Sequence, residues 1–170
     1  MERTPRFSPR NQVFFDLARQ MAEVDTASVG TYLLFLGIAR DVFAAQQAFY
    51  DRFELSEGKL VVLLLLHQAP HYRLTPSALA EAAGVTRATI TGLLSGLERS
   101  GLVKRTEHPE DGRMFSIELT EAALDLFEQM MPERFNHIRE FMSALTEEEQ
   151  HQLRALLEKM GRGLPALITS

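Results

Sequence analysis

Between Thr86 and Ser100 the chain sets hydrogen-bonding side chains at a spacing suited to contact with a polyanion. Ile90, Leu93, Leu94 and Leu97 recur at helical period, so one side of this stretch belongs to a core. Arg87, Thr89, Thr91, Gly92 and Ser95 are left on the other side. A solvated helix face usually mixes Glu and Lys, whereas this one has no acid before Glu98 and Arg87 as its base. Small hydroxyls and a guanidinium approach phosphates and base edges without repulsion. A second cluster lies in the turn-rich run His108-Pro109-Glu110-Asp111-Gly112-Arg113. A guanidinium at such a tip suits the negative potential of a narrow minor groove. Asp111, two residues away, is placed to hold Arg113 through a charge-assisted pair.

No other arrangement competes. His67 and His71 are four apart, but Pro70 between them works against a shared helical face. No nucleophile with its base, metal triad or phosphate loop stands out. With no cysteine, disulfides and Cys-ligated zinc are excluded. The reading is a non-enzyme with no catalytic residue, no metal and no cofactor.

The elements that must position these groups follow from local signals. Thr75 is an N-cap and Pro76 fits the first helical position, where a missing N–H costs nothing. Ala78, Leu79, Ala82 and Ala83 give a short apolar face. Gly84 supplies a left-handed turn, Val85 is expected to plug the corner, and Thr86 caps the next helix. Gly101 stops that helix. Leu102 to Thr106 and Met114 to Leu119 then read as two strands around the charged tip. Helix, turn, helix and hairpin in that order predict a winged helix-turn-helix, which lays one helix in a DNA groove.

The rest of the chain reads as helices that need a neighbour. Asn11 to Val24 carries the stripe Phe14, Leu17, Ala18 and Met21. Tyr32 to Phe53 is apolar on most sides, and Ser56 caps a helix through His67. Thr120 caps a helix to about Leu145, which Pro132 is expected to kink. Thr146 and Glu149 form a capping box opening a last helix with Leu153, Leu156, Leu157, Met160 and Leu164 on one side. This is more apolar surface than one small winged domain covers. A two-fold dimer answers it and sets two reading helices ~34 Å apart on a palindrome; a monomer with a larger helical core is the alternative. The fold class is thus mainly α with a small β-hairpin wing, flanked by N- and C-terminal dimerisation helices. The expected divisions are 1–27 (arm and extra helix), 28–55 (linking and dimerisation helix), 56–119 (winged domain) and 120–170 (C-terminal dimerisation helices).

The chain has 170 residues, 45% hydrophobic and 24% charged, ordinary for a globular protein. Its longest apolar run, Leu60 to Leu66, falls well below the ~20 residues that span a bilayer. With no basic start followed by a long apolar segment, a cytoplasmic location without membrane association is expected. The net charge of −5 is unusual for a nucleic-acid binder. Its distribution is uneven: residues 71–113 hold six Lys/Arg and five Asp/Glu, the remainder twelve and eighteen. The reading head is weakly basic, so binding should fall with salt. Arg3, Arg6 and Arg10 make the N-terminal arm basic, either a phosphate-tracking segment or a solvated tail.

Taken together, Leu74-Thr75-Pro76-Ser77-Ala78-Leu79-Ala80, Gly84 to Leu94, Leu97 to Val103 and the tip running into Leu119-Thr120-Glu121 resemble the multiple-antibiotic-resistance regulator (MarR) family of bacterial transcription factors. The similarity spans roughly residues 30 to 165, and Asp111 and Arg113 match the family's wing pair. Gly92 departs from it, since many relatives carry a long basic side chain there. The resemblance implies a dimeric DNA-binding regulator, most simply a repressor released by a small aromatic or carboxylic effector. The expected DNA contacts are Ser77, Thr86, Arg87, Thr89, Thr91, Ser95, Arg105, His108, Asp111 and Arg113. An effector pocket between dimer helices and winged domain would draw on Arg40, His67 and Tyr72. The expected partners are double-stranded DNA with a palindromic operator, a second copy of the chain, and that effector. A winged-helix protein-interaction module without DNA binding is the alternative.

Overall fold

The computed structural model describes residues 8–107 and 115–168; the tip residues His108, Asp111 and Arg113, and Arg3 and Arg6 of the arm, lie outside them. Helix α1 spans Pro9–Gln20, α2 Thr26–Asp51, α3 Glu57–Gln68, α4 Pro76–Ala83, α5 Arg87–Arg99, α6 Glu121–Met142 and α7 Glu147–Gly161. Strands β1 (Arg73–Leu74), β2 (Val103–Glu107) and β3 (Phe115–Leu119) form one antiparallel sheet in the order β1-β3-β2.

Each helix starts where a side chain can take up orphan N–H groups. Ser56, Thr75, Thr86, Thr120 and Thr146 all cap as the sequence suggests, the last in a full capping box with Glu149. Two starts differ from expectation. Asp25 accepts from the Ala27 and Ser28 amides, so α2 begins at Thr26 rather than Tyr32. Ser8 caps α1, which ends at Gln20, before Val24.

The core lies where α3, α4, α5, the sheet and the start of α6 meet. Val62, Leu63, Leu66, Leu79, Ile90, Leu94, Leu97 and Ile117 are almost wholly buried there. On α4 the inward pair is Leu79 and Ala80; Ala82 faces out, because an eight-residue helix offers the core little more than one turn. Val85 is exposed rather than plugging the corner; its amide donates to the Ala80 carbonyl at 3.0 Å, and Gly84, with φ 65°, closes the turn. Helix α6 is continuous through Pro132.

Strand β1 is not apparent in the sequence. A single glutamate fixes it: Glu118 on the central strand stands in register with Arg73 of β1 and Lys104 of β2. It pairs with both, at 2.5 and 3.1 Å. Partial burial pushes the Glu118 carboxyl up, but the hydrogen bonds and charges of Arg73 and Lys104 outweigh this and hold it below the usual carboxylate value. Just before β1, His71 and Tyr72 both have φ near 55°, two consecutive non-glycine residues in left-handed backbone.

Outside this core, large apolar side chains face solvent. They include Phe14 and Leu17 on α1, Phe35 and Phe43 on α2, Phe135 and Phe141 on α6, and Leu156 on α7. Helix α7 buries none of its residues. By length and composition α2 is apolar enough to cross a membrane, although Gly37, Arg40 and Asp41 interrupt any single apolar run. Its C-terminal end, with Phe49 and Tyr50, is anchored in the core. Beside it, Arg52 reaches Glu133 of α6 at 2.7 Å.

Candidate nucleic-acid interface

Helix α5 is held by its buried ridge, Ile90, Leu94 and Leu97. The opposite side is open: Thr86, Arg87, Ala88, Thr89, Thr91, Gly92 and Ser95 are all exposed. A Cβ added at Gly92 would meet nothing within 4 Å, so this side stands clear of the rest of the described chain. Arg87 makes no side-chain hydrogen bond or ion pair among the described residues, and it sits at the first position of the helix. The hydroxyls are ordered by local bonds. Thr86 Oγ1 receives the Thr89 amide at 3.1 Å and shares a hydrogen with Thr89 Oγ1 at 2.9 Å. Thr91 Oγ1 donates to the Arg87 carbonyl and Ser95 Oγ to the Thr91 carbonyl. Ser77 is exposed on the first turn of α4.

Arg105 occupies a different setting from a free phosphate contact. Its guanidinium is bidentate to Glu98, at 2.6 and 3.2 Å, and lies over the Phe115 ring, 4.6 Å from the centroid. One arginine thus ties the end of α5 to both wing strands. It also neutralises Glu98, the first acid on α5. Sequence spacing could not reveal this pair, because it closes only when the chain turns back after Gly101.

The residues expected to bind an effector fall into two places. Arg40 lines a cavity of about 630 Å³ between α1 and α2, with Arg10, Phe14, Leu17, Tyr32 and Leu36, and its guanidinium pairs with Asp41 at 2.8 Å. His67 and Tyr72 are not part of that cavity. Their rings lie 5.6 Å apart, and His67 also meets Phe127 of α6 edge-on at 4.9 Å. They form an aromatic corner where α3, α6 and the approach to β1 converge. No group of three His, Cys, Asp or Glu placed to hold a metal occurs among the described residues. Sequence reasoning missed Arg10 as a cavity residue; the signal was its position on the first turn of an amphipathic helix.

Comparison with known proteins supplies the context. The model of the MarR family matches residues 55–115. The HTH-type transcriptional repressor YetL of Bacillus subtilis is 37% identical over 142 residues, 84% of this chain and 85% of that protein. The crystal structure of MepR, a transcription regulator of the Staphylococcus aureus multidrug efflux pump MepA, superposes with a TM-score of 0.65 at 27% identity, covering 77% of this chain and 96% of that one. A MepR variant bound to an oligodeoxyribonucleotide superposes with a TM-score of 0.56 at 28% identity, covering 77% and 95%.

Proposed function

The chain belongs to the MarR family of transcriptional regulators, and from that premise we propose that it is a cytoplasmic, homodimeric repressor that binds a palindromic operator and leaves it when a small aromatic or carboxylic effector binds. The exposed, acid-free side of α5 carries this reading. Arg87 donates to phosphate or guanine, and Thr86, Thr89, Thr91 and Ser95 lie along the major groove. Ser77 supports the backbone contact from α4. Arg105 acts as a strut for the wing, whose His108, Asp111 and Arg113 reach toward the minor groove. YetL is a repressor and the MepR variant holds an oligonucleotide, which supports DNA as the partner.

The apolar faces of α1, α2, α6 and α7 are covered by a second copy of the chain, which also sets the spacing of the two reading helices. In this division 28–55 and 120–170 join the protomers and 56–119 reads DNA. The effector site draws on the cavity that Arg40 lines, whose volume suits a small ligand. His67 and Tyr72 offer a second polar and aromatic contact point for an effector, at the corner of α3, α6 and the approach to β1. Retention of genomic fragments on the purified protein, followed by footprinting, tests the reading. Protection of an inverted repeat supports it, and failure to retain any sequence above random DNA assigns the α5 face to a protein partner instead. Titration with aromatic carboxylates, with and without operator, tests the coupling. Equal effector affinity in both states removes it.

A further inference from the structure

The four hydroxyls on the open side of α5 differ in what they have left to give. A hydroxyl has one hydrogen and two lone pairs. Thr91 Oγ1 uses its hydrogen on the Arg87 carbonyl at 2.8 Å, and Ser95 Oγ uses its own on the Thr91 carbonyl at 2.9 Å. Thr86 and Thr89 share one hydrogen between their oxygens, which leaves one of their two hydrogens free. Among these hydroxyls the one free hydrogen therefore lies at the N-terminal end of the helix, beside Arg87. Further along, Thr91 and Ser95 present lone pairs and carbon. Ala88 and Gly92 between them add no polar side-chain atom.

The major groove distinguishes these two zones. Guanine shows only acceptors, N7 and O6, whereas adenine (N6) and cytosine (N4) each offer an amino hydrogen and thymine alone adds a C5 methyl. A guanine beneath Thr91 would set acceptor against lone pair. A cytosine would donate to Oγ1 but leave the Thr91 methyl without a partner; an A·T pair satisfies both, with adenine N6–H donating to Oγ1 and the Thr91 methyl against the thymine methyl. Resting on the reading that α5 enters the groove, we propose that Thr91 is a specificity-determining residue: it selects an A·T pair near the middle of each half-site.

The test uses the dimeric protein and the inverted repeat it retains from genomic DNA. Each thymine is replaced in turn by uracil, which removes only the methyl, and each adenine by purine, which removes only the N6 amino group. Wild type should bind one uracil-substituted and one purine-substituted operator per half-site roughly 3- to 10-fold more weakly. Thr91→Ser, which keeps the hydroxyl, should abolish the uracil penalty and keep the purine penalty. Thr91→Val, which keeps the methyl, should do the reverse. Both substitutions are on an exposed surface, and thermal melting confirms that the variants fold. A specific operator that shows neither penalty, or penalties unchanged in both variants, overturns this inference alone. Absence of any specific operator overturns the DNA reading and this inference with it.

Discussion

Arg87 and Glu118 separate binding from stability at the level of single side chains. Arg87 is exposed and has no side-chain ion pair among the described residues, so its replacement should leave the fold intact. Arg87→Ala is expected to weaken operator binding about 10-fold or more, and fluorescence anisotropy across salt concentrations reads both effects. If the contact is to phosphate, the salt slope falls by about one; if it is to guanine, discrimination at one base pair is lost. Glu118→Gln should instead cost about 1–2 kcal/mol of stability at neutral pH, because it discharges the bridge to Arg73 and Lys104. The Glu118 carboxyl is held below the ordinary glutamate value, so its contribution is full above that value and fades as pH falls through the lowered folded-state one. The melting-temperature gap between wild type and Glu118→Gln should therefore close on acidification, and a gap that widens instead removes the bridge from the account. Single residues were unevenly legible. The open side of α5 follows from helical period alone. The engagement of Arg105 with Glu98 and Phe115 does not, since it depends on two turns of the backbone.

Gly92 makes the case for α5 as an element built for contact. A glycine inside a helix costs roughly 0.5–1 kcal/mol relative to alanine, and nothing in the described chain requires it here. Gly92→Ala should therefore raise the melting temperature while lowering operator affinity, and a gain in both quantities would place the helix away from DNA. Thr86→Ala is expected to cost about 1 kcal/mol by removing the cap at 3.1 Å from the Thr89 amide, as chemical denaturation would show. At this scale the sequence was informative because caps and glycine stops are local chemistry, and α3, α4, α5 and α6 all start at a side chain that can be named in advance. Strand β1 escaped because two residues show no alternation, and its pairing comes from Glu118, 45 positions from Arg73. The early start of α2 was missed because the Asp25 cap precedes the first strongly apolar residues.

For the molecule as a whole, the proposed dimer rests on the apolar faces left open on α1, α2, α6 and α7. Leu156→Glu on α7, whose side chain is 63% exposed, should leave each protomer folded and shift sedimentation toward the monomer, with operator affinity falling in step. A monomeric wild type at micromolar concentration would defeat the two-fold arrangement. This surplus surface was legible as surplus, but which copy or segment meets which face was not, because complementarity between chains leaves no periodic trace in one sequence. The corner before β1 has a further consequence. Left-handed backbone at His71 and Tyr72 costs on the order of 1 kcal/mol at each residue. That strain is held inside the winged domain, between α3 and β1, where the Arg73 bridge to Glu118 clamps the strand that follows the turn.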